Sequence, residues 1–218
     1  MEVTDSLLKL IQEIDRLWDP VYPYLQKQIV ELYRRSDGDL LEIGPFCGVL
    51  FSFIEHGIGD SFTIATFPKG MGEFFLEESR KKGVEKRIKI LETDSSLREV
   101  GVQQVDLAIF RGAFFFPSLF KVDFGALDRV LKPGGMAFIG GGFGKFTPDE
   151  LIRRIGERSK KLNIEIGKVG ISEDQIYEEI RESDIKVNFK VIKEGGLWVW
   201  IRKSMLSLCS QEKDREKV

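Results

Sequence analysis

A mainly parallel β-sheet covered on both faces by helices is the fold class that the sequence predicts. Three observations carry that expectation. From Leu40 to Gly140, short apolar runs alternate with amphipathic ones. The stretch Leu40 to Gly48, LLEIGPFCG, reads as a buried strand that enters a glycine turn and then opens a helix. Near the end, two apolar runs flank KEGG, the pattern of an antiparallel hairpin. Short apolar strands alternating with amphipathic helices build a mainly parallel sheet with both faces covered.

Taken in order, Thr4 to Trp18 sets Leu7, Leu8, Ile11, Ile14 and Leu17 at helical spacing with one wet face. Asp19-Pro20 breaks this helix. Tyr22 to Arg35 forms a second, with Tyr24, Leu25, Ile29, Val30 and Leu32 inward. Together they make an N-terminal helical cap over residues 1–36. Strands are expected at Leu40–Ile43, Phe62–Phe67, Ile88–Glu92, Val105–Arg111 and Met136–Gly140, with helices at Gly48–Glu55, Gly72–Lys82 and Phe124–Leu131. In LKPGG, Leu131 ends a helix, Pro133 stops it, and Gly134-Gly135 turn the chain into the next strand. Thr147-Pro148-Asp149-Glu150 starts a helix running to about Leu162, with Thr147 as N-cap, Pro148 at the first helical position and Glu150 completing a capping box. Ser172-Glu173-Asp174-Gln175 starts another in the same way, and Val187–Ile192 with Leu197–Arg202 closes the sheet as a hairpin. The main domain thus covers residues 37–204 with seven strands. Residues 205–218 form a charged tail that frays.

The 218 residues suit one large domain with an appendage, and 42% apolar content supplies a substantial core. Lys+Arg 33 against Asp+Glu 35 gives no electrostatic reason for a nucleic-acid partner. The two cysteines, Cys47 and Cys209, form no CxxC, and His56 is the single histidine, so neither a disulfide framework nor a metal site is expected. No apolar run reaches membrane-spanning length, and MEVTDSLLKLIQEID is acidic and amphipathic, unlike a signal peptide. The expectation is a soluble, cytoplasmic protein without a membrane partner.

In open parallel sheets, ligands bind beyond the carboxyl ends of the strands, where strand order reverses. The turn after the first strand is therefore the prime site, since Gly44 permits the turn and the helix beginning near Gly48 presents free N–H groups. LLEIGPFCG at 40–48, LETDSS at 91–96, VDLAIFRGAF at 105–114 and LKPGGMAFIG at 131–140 resemble, in order and spacing, the class I S-adenosylmethionine-dependent methyltransferases. The resemblance covers roughly Asp39 to Gly141. It implies a Rossmann-like seven-stranded sheet with S-adenosylmethionine as cofactor and a methyl acceptor as substrate. Carried over by position, Glu42, Gly44, Pro45, Phe46, Cys47 and Gly48 would surround the methionine end of the cofactor. Thr66 and Phe67 would lie by the ribose, and Asp94 with Ser95 would receive the adenine amino group. Arg111, Gly112 and Ala113 would pass under the sulfonium.

Two positions depart from the family pattern. Phe46 stands where the family has a second glycine, and Ala65 or Thr66 stands where it has an acid for the ribose hydroxyls. The Phe46 ring is expected to leave the cofactor pocket and pack on neighbouring aromatics, with the backbone N–H groups still facing the ligand. An NPPY-like pattern is absent after the fourth strand, where RGAF stands, which favours a small-molecule acceptor over DNA.

The acceptor pocket draws on Trp18, Tyr22, Phe114, Phe115, Phe116 and Lys145. No motif for a general base is present, and Tyr22 and Arg111 are the candidates for a catalytic group. The bland alternatives stay open. Asp94 caps a short helical stretch, Trp18 packs on the sheet edge, and Gly140 to Phe146 is a simple connection rather than a lid over the site. Phe114, Phe115 and Phe116 are core or pocket, and since so short a turn cannot point all three inward, at least one is expected at a pocket or under the N-terminal cap. His56 and Cys47 are read as structural. The alternative to methyl transfer is a non-catalytic domain of this fold that binds another ligand or a protein, and a homodimer is an option for its assembly. A nicotinamide oxidoreductase ranks third, because it needs G-x-G-x-x-G and an acid after the second strand.

Overall fold

The computed structural model describes residues 4–205. Two helices, α1 (Asp5–Trp18) and α2 (Tyr22–Tyr33), lead into β1 (Asp39–Ile43), α3 (Val49–Glu55), β2 (Ser61–Thr66), α4 (Met71–Lys81) and β3 (Ile88–Glu92). Then come β4 (Val105–Arg111), α5 (Phe124–Val130), β5 (Leu131–Gly141), α6 (Asp149–Ile166), α7 (Glu173–Glu182), β6 (Val187–Ile192) and β7 (Leu197–Lys203). The seven strands lie in the order β3-β2-β1-β4-β5-β7-β6. Neighbours among β1 to β5 pair in parallel, while β7 runs antiparallel to both β5 and β6. The architecture is the α/β class expected, closing hairpin included.

Strand order reverses at β1, which pairs with β2 on one side and β4 on the other. The turns that follow β1 and β4 therefore emerge side by side. Alternation along a strand then decides which residues meet. Leu40 and Glu42 face the core layer beneath α1, α2 and α3, while Leu41 and Ile43 face the opposite layer. On β4, Leu107, Ile109 and Arg111 share the first layer, and Ala108 and Phe110 the second. Two charged residues, Glu42 and Arg111, are thus delivered to one buried face at adjacent strand ends.

The N-terminal helices cover that face. Thr4 caps α1 by accepting the Leu7 N–H, and the helix buries Ile11, Ile14 and Trp18. The Trp18 indole donates to Ser159 Oγ of α6 at 2.9 Å and stacks on Phe143 with centroids 4.6 Å apart. Asp19-Pro20 does not simply break the helix. It forms a 3₁₀ turn, Asp19–Val21, that hands the chain directly to α2.

Several boundaries differ from the sequence reading. Helix α2 ends at Tyr33 because Arg34 adopts a left-handed conformation. Leu131 does not end a helix but begins β5, so LKPGG lies inside a strand with a register irregularity opposite Val105–Leu107. A Cβ on Gly135 would come within 2.8 Å of the Lys132 and Val105 carbonyls, so a glycine is needed there. Pro148, not Thr147, is the N-cap of α6, and it offers no side-chain bond; the Thr147 hydroxyl instead donates back to Phe143 O. The capping box of Ser172 and Gln175 on α7 is as expected. Gly140 to Phe146 is not a free lid. Gly144 donates to Gly195 O at 2.8 Å, and Gly142 and Gly144 meet the hairpin turn Gly195-Gly196 backbone to backbone. The expected tail lies, from residue 206 onward, outside the described residues.

At the amino ends of β1 and β4, opposite the candidate site, Asp106 accepts the Asp39 N–H at 2.9 Å and pairs with Arg35 (2.9 Å) and Lys132 (2.5 Å). Burial alone would raise the Asp106 pKa, but the Asp39 amide, Lys132 and Arg35 outweigh it and lower it. Lys132 and Ser61 lower Asp39 likewise. Both carboxyls are thus more acidic folded than unfolded. Their contribution is complete above an unfolded value of about 3.9 and is lost as pH falls through the folded values. Urea unfolding of the wild type should therefore show stability falling below about pH 4. Asp106→Asn should flatten that fall, and an unchanged slope would show that this cluster does not govern acid stability.

Candidate functional site

The turn after β1 is built around Glu42, which is 0% exposed. Its carboxylate accepts the N–H groups of Gly48 (2.9 Å), Val49 (3.2 Å) and Leu50 (3.0 Å). These are donors that the first turn of α3 leaves unpaired, so a buried acid caps a short helix from below. Burial pushes the Glu42 pKa up, while the amides and Arg111 oppose that. Gly44 and Gly48 take φ of 100° and 134°, which other residues resist. The Thr66 hydroxyl and the Cys47 thiol both donate to Gly44 O at 3.1 Å, pinning the peptide.

Arg111 ends β4 and is 5% exposed. Its Nη2 donates to Asp15 Oδ1 at 2.9 Å and to the Tyr22 hydroxyl oxygen at 2.8 Å, and its Nε donates to Phe46 O at 3.1 Å. The guanidinium lies 4.8 Å from each of the Trp18 and Tyr22 ring centroids. Tyr22 in turn donates to Asp15 Oδ1 at 2.8 Å. Burial raises the Asp15 carboxyl well above the usual range, against the pull of Arg111. Burial is also the main cause of the rise at the Tyr22 phenol. A phenol engaged on both sides and made less acidic orients its neighbours and holds its proton. The network ties the helical cap to the turns of β1 and β4.

Aromatic rings fill the spaces that the glycines open. A Cβ on Gly112 would come within 2.5 Å of the Phe46 ring, one on Gly44 within 2.7 Å of Phe110, and one on Gly48 within 2.5 Å of Tyr22. Phe46 packs on Phe116 with centroids 4.7 Å apart, as neighbouring aromatics were expected to receive it. The ring also lies over Gly112, at the turn after β4. The amides of 48–50, however, do not face outward, because Glu42 takes them. Beside these rings a cavity of about 40 Å³ is lined by Trp18, Phe46, Arg111, Gly112, Phe116 and Lys168.

No protein-family model matches the chain, and no curated protein matches it. Solved structures do. A candidate S-adenosyl-L-methionine-dependent methyltransferase from Methanococcus maripaludis superposes with a TM-score of 0.75 at 24% identity, covering 95% of this chain and 99% of that one. A SAM-dependent methyltransferase from Aquifex aeolicus gives 0.59 at 16% identity over 88% and 96% of the two chains. A geranyl diphosphate C-methyltransferase from Streptomyces coelicolor, solved with S-adenosyl-L-homocysteine, gives 0.51 at 11% identity over 77% and 69%. The chain has the S-adenosylmethionine-dependent methyltransferase fold.

The sequence expectation puts the adenine of S-adenosylmethionine at Asp94 and Ser95, the ribose at Thr66 and Phe67 and the methionine end at the glycine turn, and the residues at those positions differ in what they leave free. Asp94 is exposed just past β3, where its carboxylate accepts the Ser96 N–H at 2.8 Å as a turn residue rather than a helix cap. Half-buried Ser95 stands beside it, so the adenine end of the site is open. At the ribose position, Thr66 is 0% exposed and its hydroxyl is committed to Gly44 O. Phe67 is buried edge-on to Phe120, 5.4 Å away. At the methionine end, the rings of Phe46, Phe110 and Tyr22 take the space over the glycines. Asp94 keeps a free carboxylate oxygen that an adenine amino group could use, while a ligand at the glycine turn would need these rings turned aside.

The other sequence candidates divide. Pro45, Cys47 and Ala113 are buried in the two turns. Phe114, Phe115 and Phe116 are all buried, and the turn distributes them: Phe114 joins the layer of Phe124, while Phe115 and Phe116 join the layer of α1 under the N-terminal helices and line the small cavity there. Lys145 is not brought to the site; it pairs with Glu31 at 2.7 Å. His56 ends α3 with Nδ1 2.8 Å from Ser52 O. Two residues went unread, Asp15 and Lys168. Asp15 had a signal, being an acid inside the stripe of Ile11, Ile14 and Trp18. Lys168 had none. Its residue is exposed overall, yet its ammonium lies 4.9 Å from the Phe115 ring centroid and burial of that end lowers its pKa.

Removing one member of a buried ion pair strands the other, at a cost of about 3–5 kcal/mol. Arg111→Met should lose about that much stability in chemical denaturation, and adding Asp15→Asn should restore part of it. Additive losses would mean that the pair is not coupled.

Proposed function

We propose that the chain is an S-adenosylmethionine-dependent methyltransferase acting on a small-molecule acceptor. The observation that carries the reading is the pairing of β1 with both β2 and β4. It gathers the glycine turn braced by Glu42 and the Gly112 turn at neighbouring strand ends, and β3, paired to β2, adds the open Asp94 on the same edge. Asp94 and Ser95 hold the adenine, Gly44 to Gly48 line the methionine end, and Gly112 and Ala113 run beneath the sulfur. The cofactor, when bound, supplies a methyl group already activated by a sulfonium. This chain's contribution is orientation and the exclusion of water. Trp18, Phe46 and Phe116 give an apolar wall for the acceptor. Tyr22 and Arg111 are committed to Asp15 and to each other, so they position the cap over the site and take no proton. The acceptor atom is therefore one that is nucleophilic without a strong base.

A second reading has its own support. The rings over Gly44, Gly48 and Gly112, and the loss of the ribose acid at Thr66, favour a non-catalytic relative of the fold.

Calorimetric titration separates the two. On the first reading, S-adenosylmethionine and S-adenosylhomocysteine bind the wild type in the micromolar range. Phe46→Gly, which clears the space over Gly112, binds about tenfold tighter, a gain of about 1.4 kcal/mol. Heat from neither ligand in either protein would leave the non-catalytic reading standing.

A further inference from the structure

On the other side of the Arg111 network a larger cavity, about 210 Å³, opens between α1, the start of α3 and α4. Asp15, Tyr22, Gly48, Phe51, Phe74 and Phe75 line it. Asp15 is 3% exposed. Its Oδ1 receives both Arg111 and Tyr22, but its buried Oδ2 has no hydrogen-bond partner among the described residues. A buried carboxylate oxygen ordinarily has a donor. The wall around it cannot supply one, since Phe51, Phe74 and Phe75 bring no polar group, and the Tyr22 hydroxyl proton is already given to Oδ1.

Charge points to what is missing. The buried cluster holds two carboxyl groups, Asp15 and Glu42, against one guanidinium, Arg111, and burial disfavours the charged form of both, so a cation seated on Asp15 would restore its carboxylate. The cations at the cavity mouth already have acids of their own: Arg16 pairs with Glu78 at 3.3 Å, Lys81 with Glu77 at 3.1 Å, and Lys82 with Asp19 at 2.8 Å. They neither neutralise Asp15 nor present an unpaired charge to repel a cation. We infer that this cavity binds a primary ammonium on a short apolar stem, with the nitrogen on Asp15 Oδ2 and the stem against Phe51, Phe74 and Phe75. An ammonium brings three donors and a full positive charge, and either one alone would leave Asp15 half answered. The same chemistry has two sources, a free amine and the ammonium at the methionine end of S-adenosylmethionine. The site itself does not depend on the methyl-transfer reading.

Ligand-observed NMR on the wild-type protein tests it with n-butylammonium, n-butanol and butyrate at equal concentration. Butylammonium should bind, at least about tenfold better than butanol, and butyrate should not bind. Butanol or butyrate binding as well as the amine, or no binding of the amine, overturns the inference. Asp15→Asn should abolish the preference for the amine, and its survival in a folded variant overturns the assignment to Asp15. If that variant does not fold, a crystal of the wild type soaked in butylammonium decides. Nitrogen within hydrogen-bond distance of Oδ2 supports the site, and nitrogen elsewhere or nowhere overturns it. Competition then identifies the source. Displacement of butylammonium by S-adenosylmethionine assigns the ammonium to the cofactor, and binding of both together assigns it to a separate amine.

Discussion

Arg111 and Asp15 meet at 2.9 Å with almost no water on either, and much of the molecule is constrained by that meeting. A charge taken out of water needs good geometry and further hydrogen bonds to be tolerable. β4 can end in arginine because the Phe46 carbonyl, the Tyr22 oxygen and the Trp18 and Tyr22 rings surround the guanidinium. α1 can carry an acid in its buried stripe because the guanidinium is there. Neither residue is tolerable alone, so the cap and the strand ends stand or fall together. Through Phe46 O the same guanidinium also fixes the glycine turn.

Glu42 performs the matching task one strand away. It sits on β1 with the parity of Leu40, so it rises beneath α3 and takes three amides at the start of a seven-residue helix. A helix that short is marginal alone and depends on such capping and on burial. The consequence for binding is direct. Amides that an anion could use at a helix start are already committed to the protein's own carboxylate. What the turn still offers a ligand is shape, and that shape is occupied by rings.

The parts of this arrangement that follow from periodicity were legible in the sequence. Apolar strands, intervening helices and the closing hairpin depend on side-chain spacing, and they appear where that spacing puts them. Errors gather where one local rule meets a competing contact. Thr147 is a good N-cap by type, but its hydroxyl is drawn to Phe143 O. Leu131 follows a helical run, but β4 offers it a ladder partner in Val105. Ring directions were the least legible. Phe46, Phe110 and Tyr22 converge on glycines that are far from them in sequence, and a composition with 17 phenylalanines does not say which ones will do so. Asp15 was legible in retrospect, as the acid on an apolar face.

The fold and the site have therefore been under different constraints. The sheet order depends on layers of apolar residues that keep any ligand site at the same strand ends. The site depends on a few atoms there, and these can change while the layers stay. Gly44 O illustrates the change. Thr66 stands at the end of β2 and turns its hydroxyl back onto that carbonyl, where the Cys47 thiol already donates. The turn is held by two internal bonds to one carbonyl. Contacts the protein has made for itself already occupy the turn, and the glycines become accessible only as Phe46 and its neighbouring rings move.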